Sequence, residues 1–414
     1  LLLLPTASYR ATDFLAAARA LGAEVVVASE RRLVSIGDRQ LTIDLRRPPA
    51  AAEAIATLAR ERPLDAVVAV DDQGVRVAAL AAERLGLAGN PPEAAAATRD
   101  KAAMRSALAA AAVPQPEHRS VGPDDDSAAV AAEVGLPCVV KPLSLSASRG
   151  VIRADDPRAA AAAAARVRAI LAEAGEDPQG PLLIERYVPG AEVAVEGLLR
   201  AGSLESLAVF DKPDALEGPY FEETILTTPS RLPDEIAAAV TRATADACAA
   251  LGLREGPVHA ELRVDGERVW LLELAARSIG GLCSRSLRFG VGVSLEEVIL
   301  RHALGLPLGD LRREAAASGV MMLPIHRAGV LRGVRGQDEA RAVPGIAGLE
   351  ISIGRGRPVR PLPEGDRYLG FLFARGETAE QVEQALRAAQ ERLEIDIADP
   401  AASEGSEPAA AARG

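Results

Sequence analysis

Through the first ninety residues, short apolar runs alternate with longer stretches whose apolar positions recur at helical spacing. Residues 1–4, 24–29 and 66–70 predict strands, and 12–21, 51–60 and 74–85 predict helices. That alternation predicts a small doubly wound parallel sheet, an N-terminal α/β domain over 1–93. Asn90-Pro91-Pro92 punctuates its end, and one long Ala-rich helix is expected to follow, carrying Arg99-Asp100-Lys101. From 113 to 188 the pattern reads strand, helix, strand, strand, helix, strand, with strands at 137–143 and 182–185 and a helix at 157–171. Antiparallel strands are then expected over 192–199, 203–210, 258–264 and 268–274, interrupted by a helix over 233–251. A helix near 294–304 precedes strands at 317–325, 350–353 and 368–374, and a helix over 378–393. These predict a separate C-terminal α+β unit at 311–399, after a middle domain at 94–310 whose small lobe spans about 113–188. The low-complexity stretch 400–414 is expected to be disordered. No internal repeat is visible.

A chain of 414 residues is too long for one ordinary core, which agrees with two or three domains. The net charge of -11 excludes a nucleic-acid surface, because duplex binding needs clustered positive charge. Cys138, Cys248 and Cys283 are odd in number and lie in apolar or helical contexts. They read as reduced buried thiols rather than disulfides or a zinc site. The opening leucines are too few for a signal peptide, and no apolar run reaches membrane-spanning length, so a cytoplasmic protein without a membrane partner is expected.

Basic charge is carried almost wholly by Arg; the only lysines are Lys101, Lys141 and Lys212. Where Arg is the default, a retained Lys suggests a site needing a compact point charge, with chance survival as the alternative. None follows a P-loop pattern, and Gly354-Arg355-Gly356 reads as a turn, so any nucleotide must be held by another device.

Three segments could form one. Val139-Val140-Lys141-Pro142 ends a buried strand and runs into Leu143-Ser144-Leu145-Ser146-Ala147-Ser148-Arg149-Gly150, whose small residues would let backbone N–H groups face a phosphate. A surface turn is the alternative. Ile184-Glu185-Arg186-Tyr187-Val188-Pro189-Gly190-Ala191-Glu192 joins two strands, so an adenine could bond its backbone while Glu192 accepts from ribose hydroxyls; otherwise Glu185 and Glu192 are ordinary strand-end carboxylates. In Val258-His259-Ala260-Glu261-Leu262, Asp265-Gly266 and Leu271-Leu272-Glu273, the Asp-Gly pair signals a hairpin that brings Glu261 and Glu273 together. Paired carboxylates among apolar neighbours repel unless a cation joins them, and oxygen ligands suit Mg²⁺; two solvated hairpin charges are the alternative.

As an ordered set these residues resemble the ATP-grasp superfamily. The resemblance implies an ATP-grasp fold, preceded by the N-terminal domain and followed by the C-terminal unit. It implies ATP contacts from Lys101, Lys141, Ser146, Ser148, Arg149, Gly150, Glu185, Tyr187, Val188, Glu192 and Leu272, and Mg²⁺ (or Mn²⁺) on Glu261 and Glu273. Where many relatives carry Asn two residues after the second metal-site Glu, this chain has Ala275. Glu273-Leu274-Ala275-Ala276-Arg277-Ser278-Ile279-Gly280-Gly281 instead resembles the L-amino acid ligase branch, as do Phe210-Asp211-Lys212-Pro213 and Tyr220-Phe221-Glu222-Glu223-Thr224. That branch implies a carboxylate–amine ligase acting on small molecules through an acyl phosphate, and relatives of this kind are often homodimers. Arg277 is then the candidate for orienting the carboxylate, with Gly280 and Gly281 as backbone donors and an ordinary ion pair as its alternative role. His259 is a candidate contact or base for the amine, or simply a hydrogen-bonded strand histidine, and Lys212 a contact to phosphate or substrate. A biotin-carboxylase-like or purine-biosynthetic enzyme, and a non-catalytic nucleotide-binding module, are the rival readings.

Overall fold

The computed structural model describes residues 1–6, 8–32 and 39–399; the tail expected to be disordered lies outside them. The chain opens with β1 (Leu2–Leu3), α1 (Ala11–Ala20), β2 (Val27–Ser29), β3 (Gln40–Thr42), α2 (Pro48–Glu61), β4 (Val68–Ala69) and α3 (Val75–Leu85). The four strands are parallel, in the order β3-β2-β1-β4. Successive strand side chains point to opposite faces. Leu2 and Leu4 accordingly pack with Phe14, Ala17 and Ala18 of α1, while Leu3 packs with Ile55 of α2 and with Val77 and Ala81 of α3. The sheet is doubly wound, as expected, though β1, β2 and β4 are shorter than their apolar runs and β3 adds a strand that no apolar run marks.

The single Ala-rich helix is not found. It is broken into α4 (Pro92–Ala97) and α5 (Lys101–Ala110). Asp100 causes the break by capping α5, its carboxylate accepting from the amides of Ala102 at 2.9 Å and Ala103 at 3.1 Å. Lys101 thereby becomes the first residue of a new helix. Next come β5 (His118–Val121), α6 (Ser127–Val134), β6 (Cys138–Pro142), β7 (Ile152–Ala154), α7 (Pro157–Ala174) and β8 (Leu182–Arg186), in the order foreseen. They build an antiparallel sheet, β5-β8-β6-β7, with both helices packed on one face.

The remaining elements are β9 (Ala191–Arg200), β10 (Ser203–Asp211), β11 (Ile225–Thr228), α8 (Asp234–Leu251), β12 (Gly256–Asp265), β13 (Arg268–Ala275), α9 (Leu295–Ala303), β14 (Ala317–Leu323), β15 (Gly329–Arg335), α10 (Gln337–Arg341), β16 (Ile346–Ile351), β17 (Pro358–Val359), β18 (Gly370–Gly376), α11 (Ala379–Gln390) and β19 (Glu394–Ala398). The C-terminal residues expected to form a unit of their own also contribute strands to the central sheet. β14, β18 and β16 extend the central sheet, whose order is β13-β12-β9-β10-β11-β14-β18-β16. The seam is β11, which bonds β10 on one side and β14 on the other. Its sequence, Ile225-Leu226-Thr227-Thr228, is short and half polar, which hid it from the periodicity. β15, β17 and β19 form a second small sheet. No helix among the described residues is long and apolar enough to cross a membrane.

Candidate active site

The strand face that carries the chemistry follows from simple alternation. Along β12, Val258, Ala260, Leu262 and Val264 point into the core shared with α5 and α8, so His259, Glu261 and Arg263 point the other way. On β9, Val193 and Val195 join that core, which turns Glu192 and Glu196 to the face of His259, Glu261 and Arg263. Register completes the ladder: His259 stands opposite Glu196 and Ala275, Glu261 opposite Ala194 and Glu273, and Arg263 opposite Glu192. The turn before β9 approaches closely, since a Cβ at Gly190 would lie 2.1 Å from the Val264 carbonyl oxygen.

This face borders a cavity of about 320 Å³, lined also by the small lobe, by Pro5, Ser8, Tyr9, Asp71, Asp72 and Gln73 beyond the ends of two N-terminal strands, and by Asp366 and Tyr368. Of the residues singled out from sequence, Lys101, Lys141, Ser146, Ser148, Tyr187, Val188, Glu192, Lys212, His259, Glu261, Leu272, Glu273, Arg277, Gly280 and Gly281 all line it. Glu185, Arg149 and Gly150 do not. Glu185 lies beneath the wall, 2.5 Å from the Lys141 ammonium and accepting from Arg105 Nε at 2.6 Å. Burial would raise its carboxyl, but Arg105 and Lys141 outweigh that and hold it at about 2. Its side chain therefore pairs with Lys141 and Arg105 behind the cavity wall. Gly150 donates its amide to the Pro363 carbonyl at 2.9 Å, tying the Ser-rich loop to the C-terminal region. Within that loop Ala147 and Ser148 both adopt left-handed backbone, at φ 56° and 54°, a conformation that costs a residue with a Cβ roughly 1–2 kcal/mol.

The backbone positions expected to pair with adenine are partly engaged. The Tyr187 amide donates to the Pro137 carbonyl at 2.9 Å, and the Val188 carbonyl accepts from Arg263 at 2.8 Å. Glu192 is paired through both oxygens, with Lys212 at 2.7 Å and Arg263 at 3.0 Å. At the other end of the wall, Lys101 donates to the Leu145 carbonyl at 2.9 Å and lies 3.1 Å from Glu273.

Lys212 is almost wholly buried, and its ammonium sits among Glu192, Glu223 and Glu261, bonding the first two and lying 3.5 Å from the third. Burial alone would lower the Lys212 pKa; the three carboxylates outweigh it and push it well above the ordinary lysine value. The acidic triad is thus already bridged by a lysine. His259 lies 3.2 Å from Glu196 Oε2 and 3.7 Å from Glu261 Oε1. Arg277, only 15% exposed, donates to Asp72 at 3.0 Å and to the Ser278 carbonyl at 2.9 Å. Burial would raise the Asp72 carboxyl, yet Arg277 and Arg99 hold it at about 2.

Asp72, Glu196 and Arg105 escaped the sequence reading, and Glu223 entered it only within a segment that carries the resemblance. Asp72 left a usable signal: it follows the C-terminal end of a parallel strand, where open α/β sheets bind ligands. Arg105, inside an Ala-rich helix, left none.

Residues 15–89 match the ATP-grasp N-terminal domain family, residues 134–286 the ATP-grasp domain family, and residues 321–398 the L-amino acid ligase C-terminal domain 2 family. Alanine–anticapsin ligase of Bacillus subtilis is 28% identical over 63% of this chain and 60% of its own length. Carnosine synthase 1 of Gallus gallus is 32% identical over 70% of this chain but 33% of its own. The chain thus spans less than two thirds of the length of either relative. Among solved structures, the L-amino acid ligase from Bacillus licheniformis superposes with a TM-score of 0.80 at 23% identity, covering 96% of this chain and 98% of that one.

Proposed function

This chain belongs to the ATP-grasp superfamily, in its L-amino acid ligase-like branch, and from that premise we propose that it is an ATP-dependent carboxylate–amine ligase. In this reading it joins an amino acid or related carboxylate to an amine, giving a dipeptide-type amide with ADP and phosphate. One observation carries the proposal: Lys101, Lys141, Glu261, Glu273 and Arg277 converge on one cavity. The donor set fits Mg²⁺, since Glu261 and Glu273 are paired oxygen donors on adjacent strands beside two lysines. When bound, Mg²⁺ (with Mn²⁺ as a substitute) neutralises phosphate charge as it shifts.

The chain's own residues do the rest. Lys101 and Lys141 hold the phosphates, and the Ser146–Ser148 turn covers them. Tyr187, Val188 and Leu272 wall the base. Arg277 orients the substrate carboxylate, whose oxygen attacks the γ-phosphorus while the bond to the ADP oxygen breaks. The amine nitrogen then attacks the acyl carbon beside His259, expelling phosphate, which carries off the proton that the nitrogen loses. Such a reaction asks for positioning and charge neutralisation more than for covalent chemistry by the protein. The three cysteines are unpaired and buried, which suits a reducing, cytoplasmic setting. A homodimer is the expected assembly, to be measured by sedimentation.

The test is ADP release by the purified protein against a panel of amino acids, with the amide product read by mass spectrometry. Turnover that depends on an amino acid supports the ligase. Turnover that depends on bicarbonate, or nucleotide binding without turnover, overturns it.

A further inference from the structure

The segment leaving β13 is gripped three times in three successive residues. Arg277 donates to Asp72. Ser278 accepts from Arg10, whose NH2 lies 2.6 Å from its hydroxyl and whose NH1 lies 3.5 Å from its carbonyl. The Ile279 amide donates to Glu196 Oε2 at 2.9 Å. Two of the three grips come from the N-terminal sheet, which no motif marks as part of the site.

Arg10 is fully buried. It also donates to the Val70 carbonyl at 2.9 Å, lies 3.6 Å from Glu296 at the start of α9, and covers the Phe14 ring at 5.0 Å. A buried guanidinium is costly, and an apolar side chain of similar volume would often serve packing better. What an apolar side chain could not do is hold both polar atoms of Ser278. The Arg10 guanidinium also reaches the Val70 carbonyl, two residues before Asp72, so the segment leading into Asp72 and Ser278 are tied to one side chain.

We propose that Arg10 is a positioning residue for the carboxylate subsite: it sets Ser278 so that Arg277 and the amides of Gly280 and Gly281 keep their aim. The proposal rests on the reading of Arg277 as the carboxylate-orienting group. Its physical basis is that a misplacement of about 1 Å costs on the order of a hundredfold in rate.

The experiment compares the parent with Arg10→Lys, Ser278→Ala and the double variant. Arg10→Lys keeps the charge near Glu296 and loses the two-point hold; Ser278→Ala removes one acceptor with little change in volume. A hydrogen bond to a charged group implies a fall of about tenfold or more in kcat/KM for the carboxylate in each single variant. The KM for ATP should stay at the parent value. Because both act through one contact, the double variant should be little worse than either single one. Amide hydrogen exchange at residues 279–281, which needs no turnover, should speed up in all three. Additive losses, an equal loss toward ATP, or unchanged exchange would each overturn the proposal. A parent that releases ADP without any carboxylate sinks the ligase reading instead, and the exchange measurement still judges Arg10.

Discussion

Glu261 and Glu273 face each other across adjacent strands, yet their carboxylates turn to different lysines, Glu261 to Lys212 at 3.5 Å and Glu273 to Lys101 at 3.1 Å. Each charge is therefore part-neutralised before any metal arrives. A divalent ion binding both must share Glu273 with the lysine assigned to the phosphates. Glu273→Gln keeps the size and leaves Lys101 its bond to Leu145, so the fold should persist. Turnover should fall at least a hundredfold, and magnesium should be needed at higher concentration. A magnesium titration of ADP release checks this, and an unchanged midpoint would falsify the metal assignment.

Arg277→Lys tests the acceptor side of the cavity. Lysine keeps the charge toward Asp72 but loses the planar fork that suits a carboxylate and then an acyl phosphate. Carboxylate-dependent ADP release should drop on the order of a hundredfold, with ATP affinity little changed. Both quantities should be measured on one preparation. A parent-like rate would reduce Arg277 to a buried ion pair with Asp72.

How much of this was legible beforehand depends on what each residue answers to. The cavity face of β12 was readable because strand alternation fixes it, and Asp265-Gly266 fixes the hairpin. Lys101 and Lys141 stood out against an arginine-rich background. Glu185 lies in the strand connection that the ATP-grasp resemblance marks for the nucleotide, but its ion pair with Arg105 could not be read, because that residue is on a helix eighty residues away and only the fold brings the two together. The same holds for Asp72 and Arg277. β11 was missed because its role is to bridge two strands, which leaves no periodicity of its own.

Lys212→Met should be among the most damaging single changes to stability. It leaves Glu192, Glu223 and Glu261 facing one another without their shared cation, and breaking a buried ion pair in this way costs about 3–5 kcal/mol. Thermal unfolding should shift down by several degrees. A melting temperature equal to the parent's would mean that the carboxylates find other partners or water.

Glu185 supplies a pH signature. Its folded pKa of about 2 lies below its ordinary value of 4.5, so the stability it contributes is fully present above 4.5. That contribution is lost as pH falls from about 4.5 through 2. Glu185→Gln should be less stable at neutral pH, because Arg105 and Lys141 lose their partner. Its stability should also change less steeply over that acid window. Parallel slopes for parent and variant, in denaturant titrations at stepped pH, would contradict the depressed pKa.

The unbroken run from β13 to β16 means that the cavity-bearing sheet has no clean place to be cut. Removing everything after residue 310 would strip β14 from β11 and bare a row of backbone donors and acceptors on Ile225-Leu226-Thr227-Thr228. Unpaired edges of that kind recruit other chains. Swapping this C-terminal portion between related proteins would accordingly have to preserve the register Leu226 to Val320 and Thr227 to Gly319, not merely the domain's outline. The candidate site and the region beyond it share one sheet.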